Sequence, residues 1–130
     1  LLIAERINCY AWSFDERRAG LLADCFTDNA VWHGNLGGME PVPPIHGRDE
    51  IVSWLCAFWD RQTDQRRHML MSVEIDELTP TNATAVTSLL LTSVEAELKI
   101  ALTSFYQMRL VRHNGEWLID DLFEGGDVPF

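Results

Sequence analysis

The sequence predicts an α+β fold in which helices cover one face of a curved, mostly antiparallel sheet. Three observations predict it. Apolar residues recur at helical spacing up to about residue 62, and they alternate from Arg66 to Phe123. Between the last two alternating runs stands Asn114-Gly115, a pair that readily adopts the positive φ angles of a type I′ turn.

In the first helix, Leu2 to about Arg18, the residues Ile3, Ile7, Tyr10, Ala11 and Phe14 form an apolar stripe, with Glu5, Ser13 and Arg17 pointing elsewhere. Gly20 weakens any continuation. Leu21, Leu22, Cys25 and Phe26 then predict a second short helix ended by the turn-prone Thr27-Asp28-Asn29. Ala30 to His33 reads as a short strand, and Gly34, Gly37, Gly38, Pro41, Pro43 and Pro44 predict an irregular loop able to line or cover a site. After Gly47, Ile51, Leu55, Phe58 and Trp59 restore helical spacing through about Gln62, with Asp49 and Glu50 at the helix's positive end. Met69, Met71, Val73 and Ile75 then form one face of a strand, and Pro80-Thr81-Asn82 breaks the chain. Ala83–Val94, Leu98–Arg112 and Trp117–Phe123 complete a meander. Apolar residues of both parities in the two long strands call for cover on both sheet faces, most simply by a homodimer or higher homo-oligomer formed through the sheet. The ending, Gly125 to Phe130, is flexible by composition, with a final apolar pair able to fold back as a lid.

With 130 residues, 47% of them apolar, the chain is expected to be a single domain, 1–130, with one sizeable core. Twenty acidic against ten basic residues give a formal charge of −10, which repels phosphate backbones and anionic lipid, so neither nucleic acid nor membrane is an expected partner. No apolar run approaches the roughly 20 residues of a membrane span, and no signal-peptide pattern opens the sequence. Cys9, Cys25 and Cys56 are odd in number, lie at no metal-ligand spacing and sit in apolar patterns, which fits a reducing, cytoplasmic setting. His33 and His46 flank the Gly/Pro loop without carboxylates at ligand spacing, so no metal site is expected and no cofactor is implied.

Asp15 closes the first helix, and His68 stands among charges at the start of the strand-rich half. A carboxylate and an imidazole brought together over an apolar pocket make an oriented general base. Taken alone, Asp15 also reads as a helix end pairing with Arg18, His68 as a solvated strand start, and Tyr10 as core. Strict alternation places His68 on the face opposite Met69 and Met71, so His68 reaches a pocket on their side only through a bulge between His68 and Met71, or if the strand starts after His68. Phe14, Trp32, Trp54, Leu55, Phe58 and Met71 are candidate substrate-binding walls, although for any one of them ordinary core packing is the plainer reading. Glu95 and Glu97 on a strand turn, and Asp120, Asp121, Glu124 and Asp127 near the end, read as solvated charges, one of which has the option of rimming the pocket mouth.

Tyr10 to Asp15, Phe26 to Trp32, Gly47, Arg67-His68 and Asn114-Gly115-Glu116-Trp117, in this order and spacing, resemble the SnoaL-like group of the nuclear transport factor 2-like superfamily over nearly the whole chain. The resemblance implies a cone-shaped sheet of the cystatin-like α+β barrel type, covered by three N-terminal helices. Similar members are the cofactor-free eliminating enzymes scytalone dehydratase, bile acid 7α-dehydratase and hexachlorocyclohexane dehydrochlorinase. They imply catalytic roles for Asp15 and His68, with Tyr10 matching a functional tyrosine of the bile acid enzymes. The scytalone dehydratase tyrosine preceding the aspartate is replaced here by Phe14, and the strand Thr87 to Glu95 lacks that enzyme's second histidine. The expected function is thus a cofactor-independent lyase, a dehydratase or dehydrohalogenase acting on a small hydrophobic, cyclic or polyketide-like molecule. An isomerase or cyclase with the same dyad, or a non-catalytic module such as an oxygenase β subunit, are the alternatives.

Overall fold

The computed structural model describes residues 2–37 and 40–128. Helices α1 (Ile3–Asp15) and α2 (Ala19–Ala23) are followed by strands β1 (Phe26–Asn35) and β2 (Val42–His46) and then by helix α3 (Arg48–Ala57). A 3₁₀ turn at Trp59–Arg61 leads into β3 (Gln65–Leu78), β4 (Asn82–Val94), β5 (Leu98–His113) and β6 (Glu116–Gly126). The six strands form one sheet in the order β2-β1-β6-β5-β4-β3, in which β1 runs parallel to β6 and every other neighbouring pair is antiparallel. The architecture expected from the sequence, three helices on a mostly antiparallel sheet, is the one found.

The core forms where the helical stripe of α1 meets the inner face of the sheet. Ile7 and Tyr10 of α1, Leu22 of α2, and Ile51 and Leu55 of α3 are buried with Leu89, Tyr106, Leu110, Ile119 and Leu122 of the strands. Arg6 joins α1 to β6 by donating from Nε to the Trp117 carbonyl at 2.8 Å and by pairing with Glu116 at 3.1 Å. Asn114 (φ +50°) and Gly115 (φ +80°) occupy the β5–β6 turn in the positive-φ geometry that the pair favours.

Several local expectations are corrected. α1 stops at Asp15 rather than Arg18, because Arg17 adopts the left-handed φ of +56°. Cys25 lies beyond α2 and Phe26 begins β1, so Thr27-Asp28-Asn29 is part of a strand and not a turn. There the Thr27 hydroxyl donates to Asp120 of β6 at 2.8 Å. The Gly/Pro segment contains an edge strand, β2, where Pro43 and Pro44 are tolerated because one side of the strand is free and the pairing with β1 is irregular across them, passing from Ile45 opposite Trp32 to Val42 opposite Gly34. α3 ends at Ala57 rather than near Gln62. Gly125 and Gly126 belong to β6, and the Gly126 N–H donates to the Asn35 side chain at 3.1 Å. Of the lid expected from the tail, Pro129 and Phe130 lie outside the described residues, as do Gly38 and Met39.

The β3 face is the largest correction. The strand begins before His68, and Arg67 to Met71 pair continuously with β4, His68 opposite Leu91 and Met71 opposite Ser88. No bulge separates His68 from Met71. The face that holds the pocket is instead the one shared by His68 and Leu70, while Met69 and Met71 point outward. An irregularity does exist, but beyond Met71, at Ser72 (φ +56°). A second one in β6 sets the site: Leu110 pairs with Ile119 and Arg109 with Asp121, so Asp120 is an extra residue. Inward positions therefore switch from Trp117 and Ile119 to Leu122 and Glu124.

β1 and β6 meet closely where Gly34 (φ +130°) faces Glu124, and a Cβ at Gly34 would collide with the Glu124 backbone. Gly34→Ala combines a backbone conformation that L side chains avoid with overpacking. It is expected to destabilise the protein by on the order of 2–4 kcal/mol, read as a lowered urea midpoint at unchanged slope.

Candidate active site

The last residue of α1 and the fourth residue of β3 meet at a carboxylate–imidazole pair. Asp15 Oδ1 is 2.5 Å from His68 Nδ1, and Asp15 Oδ2 accepts the His68 backbone N–H at 2.7 Å. Their side chains are 4% and 13% exposed respectively. Gln65 adds a brace by donating to the Asp15 carbonyl at 3.2 Å. The Arg18 pairing open to Asp15 in the sequence is not formed. Arg67, beside His68, turns outward to an ion pair with Glu16 and stacks over Trp12, its guanidinium 5.3 Å from the ring centre.

His68 forms part of the wall of a cavity of about 240 Å³ under the helices. Of the expected wall residues, Phe14, Trp32, Trp54, Leu55 and Phe58 line it, together with Tyr10. Met71 does not: it is 47% exposed on the outer face of the sheet, for the parity reason given above. The Phe14 ring lies 5.2 Å from the imidazole, and the Trp32 and Trp54 rings lie 4.6 Å apart, so the hollow is walled mainly by aromatic surface.

Tyr10 is buried with Tyr106 of β5 at a ring separation of 5.8 Å, edge to face. Burial, and then the nearby Glu124 carboxylate, push the Tyr10 hydroxyl far above the usual phenol range, which keeps its proton available for donation in a hydrogen bond. The Trp32 indole N–H lies near that hydroxyl but makes no hydrogen bond of ordinary geometry, which leaves a buried donor at the cavity wall.

Leu36, Arg66, Leu91, Leu102, Tyr106 and Glu124 also line the cavity and were not singled out as wall residues from the sequence. Glu124 matters most, because it is a 5% exposed carboxyl group rather than the solvated charge expected. Burial raises its pKa to about 7, against smaller lowering effects from His68 and from the Ser104 hydroxyl, which donates to Oε2 at 3.1 Å. The signal was hidden by the extra residue at Asp120, which reverses the alternation read from Trp117 and Ile119. The other acids of β6 do not line the cavity: Glu116 pairs with Arg6 at 3.1 Å, Asp120 with Arg109 at 2.7 Å and Asp121 with His33 at 2.8 Å. Among the described residues no group of three or more His, Cys, Asp or Glu is arranged to hold a metal ion, and no helix is long and apolar enough to cross a membrane.

A sheet enclosing an aromatic hollow under three helices, with an Asp–His pair at the wall, is the nuclear transport factor 2-like, cystatin-like fold. The chain belongs to the SnoaL-like domain family, whose model matches residues 2–122. Among solved structures it is similar to ActVI-ORFA from Streptomyces coelicolor, at 21% identity, with 96% of this chain and 95% of that one covered and a TM-score of 0.82. An NTF2-like protein with a cystatin-like fold from Novosphingobium aromaticivorans is 18% identical over 95% of this chain and 79% of its own, with a TM-score of 0.78. The β subunit of a putative aromatic-ring-hydroxylating dioxygenase from the same organism is 14% identical over 98% and 88%, with a TM-score of 0.80. These likenesses show the fold. No curated protein matches the chain.

The buried Glu124 ties stability to pH. Its folded pKa lies above its unfolded value, so its contribution is full below pH about 4.5 and is lost as pH rises through about 7. Glu124→Gln is expected to remove on the order of 3 kcal/mol of that decline, measured as the difference between the two proteins' unfolding free energies at pH 4 and pH 8.

Proposed function

We propose that the pocket is the active site of a cofactor-independent lyase that removes a proton and a leaving group from a small, largely apolar cyclic molecule. The observation that carries this reading is the Asp15 Oδ1 to His68 Nδ1 contact at the wall of the aromatic cavity. With Nδ1 held by Asp15, the imidazole is kept in the tautomer whose Nε2 accepts a proton, and the carboxylate stabilises the imidazolium that forms. The Tyr10 hydroxyl, always protonated, suits a substrate carbonyl oxygen on which negative charge develops as the carbon loses its proton. At about 240 Å³ the cavity falls below the 300–1,000 Å³ of typical ligand pockets, which favours a substrate of one or two rings. The SnoaL-like family includes enzymes, and the dyad supports a catalytic reading over a binding or assembly module such as an oxygenase β subunit.

A screen of hydroxylated and halogenated ring compounds tests it. His68→Ala and Asp15→Asn are each expected to lower kcat by about 10²–10⁴ while the compounds still bind, because a positioned base contributes that much to rate. Unchanged turnover in both variants sinks the mechanism, binding without turnover by the wild type favours the binding module, and a rearranged product of unchanged mass favours the isomerase.

The same reading takes a second copy of the chain as the cover for the outer sheet face, where Met69, Met71 and Phe105 stand exposed. Sedimentation is expected to show a dimer at micromolar concentration and Met71→Glu to shift it to monomer. A monomeric wild type removes this assembly.

A further inference from the structure

Two groups that can move protons line the same hollow, and the dyad uses only one of them. Glu124 enters from β6, where it pairs across with Tyr106 of β5 and lies beside Gly34 of β1. Tyr10 and Asp15 approach from α1, His68 and Arg66 from β3, and Ser104 and Tyr106 from β5. Among the described residues no cation pairs with Glu124: the Arg66 guanidinium, the remaining positive group of the wall, is held by Asp64 at 3.1 Å. Ser104 occupies Oε2, and Oε1 has no hydrogen-bond partner among the described residues. A buried carboxyl without a counter-ion favours its neutral, proton-donating form.

We propose that Glu124 is the acid that protonates a departing hydroxyl group, so that the pocket dehydrates a hydroxylated ring compound rather than expelling halide. The proposal rests on the dyad reading and narrows it. His68 Nε2 takes the proton from carbon, and the C–H electron pair becomes the new carbon–carbon π bond. The C–O bond breaks with its pair moving to oxygen, which takes the Glu124 proton and leaves as water. Substrate is thus divided into alkene and water, with an imidazolium and a carboxylate left facing one cavity. Their attraction lowers the cost of that charged state, and passage of the proton from His68 to Glu124, directly or through the released water, resets the site. A halide leaves as a stable anion and needs no such acid; hydroxide is a poor leaving group and does.

The test uses the full chain and a panel of cyclic β-hydroxyketones, each paired with its β-chloro counterpart, with the spontaneous reaction subtracted. Glu124→Gln preserves the shape and the Ser104 contact. It is expected to lower kcat at least 100-fold on the hydroxy compounds and to change it less than about threefold on the chloro compounds, as expected for loss of a general acid. Wild-type kcat on the hydroxy compounds is expected to fall as pH rises past about 7, and the chloro compounds are expected to lack that limb. Ser104→Ala, which removes a contact favouring the carboxylate, is expected to move the limb to higher pH without abolishing turnover. Equal impairment of both substrate classes by Glu124→Gln, or impairment of neither, overturns the proposal. His68→Ala separates the two readings: its activity falls on both classes if the dyad is the base, whatever the outcome at Glu124. No wild-type turnover of either class overturns both.

Discussion

The two-point hold of Asp15 on His68 is the contact on which the arrangement of the pocket depends. One carboxylate oxygen takes the imidazole and the other takes the backbone N–H of the same residue, so the end of α1 is fastened to β3 across 53 positions of sequence. A buried aspartate without those partners would carry the full desolvation cost of a charge, whereas one that satisfies both oxygens sets the angle at which helix and strand approach. The aromatic wall follows from that angle. Phe14, one residue before the aspartate, is carried against the imidazole, and Tyr10, one helical turn earlier, is carried into the core.

The chain states its architecture plainly where a pattern is regular and conceals it where a strand changes parity. The stripe of α1, the Asn114-Gly115 turn and the long alternations of β4 and β5 are legible in the pattern itself, whereas the meeting of Asp15 with His68 is legible only through the family resemblance. The face of β3 was not. Met69 and Met71 look like core residues because they are large and apolar, yet they lie on the outer surface, and only the neighbours across β4 reveal this. Glu124 was concealed by a single extra residue at Asp120, since a one-residue shift moves every following side chain to the other face. β2 was hidden for another reason: two prolines signal a loop unless the strand happens to be an edge.

The pocket has two halves of opposite electrical character. At the dyad, charge is welcomed: the acid is hydrogen-bonded on both oxygens and borders a base. At the β6 side, charge is resisted by burial, which outweighs the lowering effects of His68 and Ser104, and among the described residues no cation forms an ion pair with Glu124. Holding one carboxyl group by two hydrogen bonds and burying another without an ion pair, around a single small cavity, is the arrangement that the proposed base and acid require in order to work at one pH. The net charge of −10 adds to this division, because a strongly negative molecule makes one more buried negative charge harder to sustain.

The parallel pairing of β1 with β6 also governs the order in which the hollow can come into being. As the ribosome extends the chain, the helices and β1 emerge long before the strand that must lie beside β1, and β5 must wait for the same partner. Until β6 arrives, the early segments present unsatisfied strand edge and bare aromatic surface, a period in which chaperones would find them. The nascent protein therefore holds its dyad residues in hand well before it has a chamber in which to use them, and the strand that completes the chamber also delivers its second carboxyl group.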